Sequence, residues 1–139
     1  MQASALVRGQ NCRLTVVVST LNEEKHLPAL LRDLREQTLP VTDYEVIIVD
    51  GGSTDATVDV ARLHAESTPN TRVYLNPRRW ASSGRNIGAA HSRAAHLLFI
   101  DAHCRIPSPT MLADVLLVRI PRDGEHGFHG IVNGDSRAT

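Results

Sequence analysis

His96-Leu97-Leu98-Phe99-Ile100-Asp101-Ala102-His103 is an apolar run that ends abruptly in a carboxylate and, two residues later, an imidazole. Four large apolar residues in a row, 97–100, suit a short strand buried on both faces, as in a parallel sheet covered by helices. The carboxyl ends of such strands are where open α/β sheets bind ligands. If the chain stays extended, Asp101 and His103 point to the same side, because side chains alternate with period 2. Two ligand-capable groups then share one crevice. The same residues also allow a plainer arrangement, in which Asp101 caps the following turn and His103 is a surface loop histidine.

Working outward, the pattern around this stretch repeats. Residues 14–20, Leu-Thr-Val-Val-Val-Ser-Thr, are β-branched with a polar end and read as a first strand. Leu27, Leu30, Leu31 and Leu34 then fall at i, i+3, i+4 and i+7, which predicts an amphipathic helix over about 23–37, with Pro28 near its first turn. A second buried strand follows at 44–50, closed by Asp50. Gly51-Gly52-Ser53-Thr54-Asp55 is a tight turn, and Ser53 or Thr54 is the expected N-cap of a helix running to about Glu66. Residues 72–76 form a third short strand. A helix over about 82–95 comes next, made thin by Gly84, Gly88, Ala89, Ala90, Ala94 and Ala95, so that it can approach a sheet or a ligand closely. After the 96–101 strand, Ser108 and Pro109 are expected to start a last helix over about 110–118. Four strands alternating with helices indicate α/β architecture, a mainly parallel sheet with right-handed crossovers.

Composition bounds the rest. The chain has 139 residues, with 42% hydrophobic and 22% charged side chains, and fits one soluble globular domain. Fifteen basic and 15 acidic residues cancel, so the charge balance points to neither nucleic acid nor acidic lipid. Cys12 and Cys104 share no zinc-site spacing, which favours free thiols in a reducing compartment. No stretch approaches the roughly 18 apolar residues of a membrane span, and residues 1–13 lack a signal-peptide core. The expected location is cytoplasmic, with any membrane association peripheral. Residues 1–13 read as an N-terminal extension, 14–118 as the α/β domain, and 119–139 as an irregular tail. His126 and His129 in that tail are weak candidates for metal ligands.

Every expected strand ends in polar residues: Ser19 and Thr20 with Asn22 and Glu23 beyond, then Asp50, Asn76, and Asp101 with His103. Wet loops alone explain one or two such ends. They explain less well a carboxylate closing two separate apolar runs, because each is partly buried and needs a partner. A carboxylate there can accept from a ribose or base, or hold a divalent ion against a diphosphate. His103 is a better ligand for Mn²⁺ than for Mg²⁺. Arg85 at the start of the glycine-rich helix, with Arg78 and Arg79 before it, favours an anion, although arginines in such loops are also often simply solvated. No G-x-G-x-x-G follows a strand, and neither a Walker A loop nor a G-x-S-x-G elbow is present.

Four linked segments carry a family resemblance: residues 17–24, 48–57, 83–90 and 99–103. Together they resemble the family 2 inverting glycosyltransferases of GT-A fold, a three-layer, Rossmann-like nucleotide-diphospho-sugar transferase fold, over about residues 14–118. The Asp-Ala-His form, with Asn76-Pro77-Arg78-Arg79 before it, is most similar to the bacterial succinoglycan-type enzymes of exopolysaccharide synthesis. The resemblance implies that Thr20, Asn22, Glu23, Asp50, Arg85 and Asp101 line the nucleotide site. It places Asp101 and His103 where the family has Asp-x-Asp, with a divalent cation, Mn²⁺ or Mg²⁺, and a UDP-sugar as donor. The acceptor would be a polysaccharide or lipid-linked glycan at the inner face of a bacterial membrane. Two departures stand out: Gly51 replaces the second acid of the common Asp-Asp-Gly-Ser, and His103 replaces the second acid of Asp-x-Asp. Such enzymes carry their acceptor site and catalytic base in a further half, which would have to follow Val118, so the expected unit is a truncated fold. A non-catalytic nucleotide- or partner-binding module remains an alternative, as does self-association through an exposed sheet edge.

Overall fold

The computed structural model describes residues 12–118. Four strands and four helices alternate: β1 (Leu14–Thr20), α1 (Leu27–Arg35), β2 (Tyr44–Asp50), α2 (Thr57–Ser67), β3 (Thr71–Leu75), α3 (Ala81–His91), β4 (His96–Asp101) and α4 (Met111–Leu117). The strands form one parallel sheet in the order β3-β2-β1-β4. β1 and β2 are central and are buried along nearly their whole length, as continuous apolar strands require.

Period-2 alternation sorts the core into two layers. Val16, Val18, Val46, Ile48, Leu98 and Ile100 face one side, against Leu27, Leu30, Leu31 and Leu34 of α1, Ala61 of α2 and Leu112 of α4. Val17, Ile47 and Val49 face the other, with Ile87 of α3 and Phe99 packed on them. Each fully buried Leu, Ile or Val contributes about 1.5–3 kcal/mol. The result is the expected α/β arrangement with helices on both faces, and α3 alone covers the second face among the described residues.

The helix starts differ from expectation. α1 begins at Leu27 rather than near Glu23, because residues 23–26 form a tight turn in which His26 N and Leu27 N both donate to Glu23 O, at 3.0 and 2.8 Å. Pro28 sits in the first turn, where its missing N–H costs nothing. α2 begins at Thr57, and neither Ser53 nor Thr54 caps it. Asp55 instead accepts from Thr57 Oγ1 at 2.5 Å and from Thr57 N at 2.9 Å, and the hydroxyl bond foremost, with the N–H bond beside it, holds the Asp55 carboxyl below the usual carboxylate range. α3 stops at His91, four residues before Ala95, since Ser92 turns extended and Arg93 N donates to Glu45 Oε2 at 2.7 Å. Ser108 receives Thr110 N at 3.2 Å and so caps a turn, while α4 itself starts at Met111. The expected extension, the tail and its His126 and His129 lie outside the described residues, apart from Cys12 and Arg13.

Candidate functional site

Strand order reverses direction between β1 and β4, and such a switch point opens a crevice at the carboxyl ends of the strands. Ser19 lies opposite Asp101 across the β1–β4 pairing, and Thr20 lies opposite Asp50 across the β1–β2 pairing. A cleft of ≈ 280 Å³ opens at that edge. Thr20, Glu23, Asp101 and His103 line it, together with Ser19, Asn76, Arg79, Trp80 and Gly84. Asn22, Asp50 and Arg85, the other expected site residues, stand behind or beside this lining.

Asp50 is a buried knot, 1% exposed. Its Oδ1 accepts from Thr20 Oγ1 at 2.8 Å and from Ser53 Oγ at 2.5 Å. Its Oδ2 accepts from the backbone N–H groups of Gly52 and Ser53 at 2.9 and 2.8 Å. Four bonds fill the acceptor capacity of a carboxylate, so in this structure the charge is spent on closing the loop that follows β2. Gly52, at φ 97°, supplies the left-handed turn that aims these N–H groups backwards. Asn22, itself at φ 54°, ties that loop to the one after β1. Its N–H donates to Ser53 Oγ at 2.8 Å and its Oδ1 accepts from Thr54 N at 2.8 Å. Glu23 N adds a bond to Thr57 Oγ1 at 2.8 Å, and Glu23 Oε2 meets His26 Nδ1 at 3.1 Å.

Asp101 is the open carboxylate of the pair, with its side chain 33% exposed and its Oδ1 3.8 Å from Arg85 Nη2. Arg85 comes from the second turn of α3, and its side chain is 44% exposed. The extended geometry expected beyond Asp101 is not found. Cys104 N donates to Asp101 O at 3.0 Å, so residues 101–104 form a turn, and this turn, not strand alternation, brings His103 to the cleft beside Asp101. Among the described residues no three His, Cys, Asp or Glu side chains gather as a cation cage. Asp101 and His103 are a two-donor set, which fits an ion that takes its remaining positions from phosphate oxygens and water.

The far wall was less legible. Asn76, 4% exposed, organises the 76–80 loop: its Nδ2 donates to Trp80 O at 2.8 Å and its Oδ1 accepts from Arg78 N at 3.1 Å. Asn76 N donates to Asp50 O at 2.7 Å, which joins this loop to the Asp50 knot. A Cβ on Gly51 would lie 3.0 Å from Arg79 O and 3.2 Å from Arg79 Cα. The glycine that departs from the common acidic pattern is therefore the one over which the loop closes. Gly84 similarly lets α3 approach, since a Cβ there would lie 3.3 Å from Asn76 Nδ2 and 3.4 Å from Ser19 Oγ. Gly88 sits against Val17, whose side chain a Cβ would overlap. Arg79 was expected as part of a basic patch with Arg78, whereas Trp80 carried no sequence signal beyond being the single tryptophan of the chain.

This geometry defines a class: a parallel α/β domain with a polar, carboxylate-bearing cleft at its switch point. Residues 15–117 match the family model described as "Glycosyl transferase family 2". The chain belongs to that family. It is 38% identical over 94 residues to the succinoglycan biosynthesis protein ExoA of Rhizobium meliloti, an alignment covering 66% of this chain and 28% of that protein. Among solved structures, S. aureus TarS 1-349 in complex with UDP-GlcNAc superposes with a TM-score of 0.70 at 28% identity, covering 76% of this chain and 30% of that one. The mannosyltransferase PcManGT from Pyrobaculum calidifontis, in complex with GDP-Man and Mn²⁺, gives a TM-score of 0.72 at 30% identity, over 78% of this chain and 33% of that one. These neighbours share the GT-A fold. The chain spans less than half the length of each of these relatives. No helix among the described residues is long and apolar enough to cross a membrane.

Proposed function

We propose that residues 14–118 are the nucleotide-sugar-binding part of an inverting family 2 glycosyltransferase. The observation that carries this reading is the meeting of Thr20 and Glu23 with Asp101 and His103, from two segments far apart in sequence, in one cleft at the switch point. In this reading Asp101 and His103 hold a divalent cation, with Mn²⁺ favoured by the imidazole. That ion, when bound, neutralises charge on the donor's diphosphate. Arg85 leaves Asp101 and turns its guanidinium to the same diphosphate, near the N-terminal end of α3. Thr20 and Glu23 contact the nucleoside. Asn22 and Asp50 contribute by fixing the two loops that present these groups.

The donor is a UDP-sugar and the acceptor a polysaccharide or lipid-linked glycan. An acceptor hydroxyl, deprotonated by a carboxylate, attacks the anomeric carbon in line and inverts it, while the bond from that carbon to the diphosphate oxygen breaks and UDP leaves with the electron pair. Of the two openly placed carboxylates lining the cleft, Asp101 faces Arg85 and Glu23 faces His26, so neither stands free as that base. The base and acceptor site belong to a part of the enzyme outside residues 14–118. This pairing also supports a second reading, a module that binds nucleotide without transfer. Both readings require nucleotide binding. Thermal unfolding of the chain with UDP and Mn²⁺ is the check: a ligand at 100 times its Kd stabilises by about 2.7 kcal/mol, a rise of several degrees. An unchanged midpoint at millimolar UDP would remove both.

A further inference from the structure

We infer that Trp80 is the stacking platform for the nucleobase of the donor. The inference rests on the nucleotide reading above and adds to it a residue and an orientation. Asp101 and His103 follow β4, whereas Trp80 belongs to the loop after β3 that folds down over Gly51 at the end of β2. In the order β3-β2-β1-β4 the two groups flank β1 on opposite sides, and Ser19 and Thr20 form the floor between them. A nucleoside diphosphate anchored by its phosphates at Asp101 and His103, and lying across β1, therefore puts its base at Trp80. The cleft of ≈ 280 Å³ approaches the size of small-molecule sites, and Trp80 supplies the aromatic surface such sites usually carry.

The indole is unusual in being uncovered. Tryptophan is among the most buried residue types on average, yet Trp80 is 72% exposed. Its backbone is nonetheless tightly held. Trp80 N donates to Arg78 O at 2.8 Å, and Trp80 O accepts from Asn76 Nδ2, Ser83 Oγ and Gly84 N at 2.8, 2.9 and 3.1 Å. Arg79, at φ 67°, takes a left-handed conformation that a non-glycine residue adopts only when its surroundings impose it. A fixed backbone carrying an exposed ring is a preorganised aromatic surface, because a base landing on it costs little further ordering. Every nucleobase has a π-face, so such a platform adds affinity without reading the base's identity.

Trp80 is the only tryptophan in the chain, so its emission reports on this one position. The test is a titration of the full chain with UDP, and separately with inorganic pyrophosphate, in the presence of Mg²⁺. Indole emission and calorimetric heat are both followed. UDP should quench or shift the emission saturably, with the Kd given by calorimetry, and pyrophosphate should bind without the optical change. Trp80→Ala should weaken UDP about tenfold or more and leave pyrophosphate unaffected, and Trp80→Phe should recover most of the loss. Because the ring is exposed, circular dichroism of both variants should match the parent. Calorimetric binding of UDP with unchanged emission and an unaffected Trp80→Ala variant would overturn the platform and leave the nucleotide reading standing. Absence of heat with both ligands on the folded parent chain, in Mg²⁺ and again in Mn²⁺, would overturn the two together.

Discussion

Asp50 and Asp101 each close an apolar run and each face the same sheet edge, yet their surroundings give them different work. The Gly51-Gly52-Ser53 segment curls back and delivers two N–H groups and a hydroxyl to Asp50, whereas the turn after Asp101 sends Cys104 N to the main-chain oxygen and leaves the carboxylate open. Asp50→Asn replaces an acceptor-only group by one whose amide nitrogen must face a donor. It should lower stability by about 1–3 kcal/mol, measured as a shift in urea midpoint. Asp101→Asn removes only a half-exposed pair at 3.8 Å, so its urea midpoint should stay within about 0.5 kcal/mol of the parent. Its Mn²⁺-dependent UDP affinity should fall about tenfold or more. The reverse pattern, with Asp101→Asn unfolding and Asp50→Asn binding poorly while fully stable, would contradict the division of roles. In the sequence the two aspartates looked alike as strand-closing acids. The tight turn after Asp50 was legible in its glycines; what was not legible is that it returns two N–H groups to the Asp50 carboxylate, while the turn after Asp101 leaves that carboxylate open.

At the scale of elements, α3 is positioned by its glycines. A Cβ at Gly88 would overlap the Val17 side chain at the centre of β1, so Gly88→Ala should destabilise by about 1–3 kcal/mol even though alanine is the better helix former. A melting temperature equal to or above the parent's would show that α3 does not sit this close to the sheet. The contact between α1 and α2 titrates. His64 on α2 is buried, and burial together with the Arg35 charge, its Nη2 3.5 Å from His64 Nδ1, lowers the imidazole pKa from the usual 6.5. The unfolded chain then takes up a proton more readily than the native one. Stability from this site is therefore complete above about pH 6.5 and is lost as pH falls through the lowered native value. Urea unfolding at pH 7.5 and 5.5 should show a larger loss for the parent than for His64→Gln; equal losses would assign the acid sensitivity elsewhere. Strands β1, β2 and β4 were legible to the residue, because uninterrupted apolar runs with polar ends have one stable use in an α/β sheet. Helix starts were not, because Ser53 and Thr54, the expected caps, are drawn into bonds with Asp50 and Asn22 that only the assembled sheet edge makes available.

For the whole molecule, the strand order gathers groups that the sequence scatters. Thr20, Glu23, Asp101 and His103 were readable as one set because each follows a strand. On the opposite wall Asn76 was readable as a strand end and Arg79 as part of a basic patch, but Trp80 was not, since its place depends on a loop closing over Gly51 through backbone contacts. The central claim is that this cleft holds a nucleoside diphosphate through a cation at Asp101 and His103. Isothermal titration calorimetry of the folded chain with UDP, with and without Mn²⁺, tests it most directly. The account predicts saturable one-to-one binding that strengthens when Mn²⁺ is added and loses that gain in Asp101→Asn. Absence of heat in both titrations, or binding indifferent to Mn²⁺ and to Asp101→Asn, would contradict it.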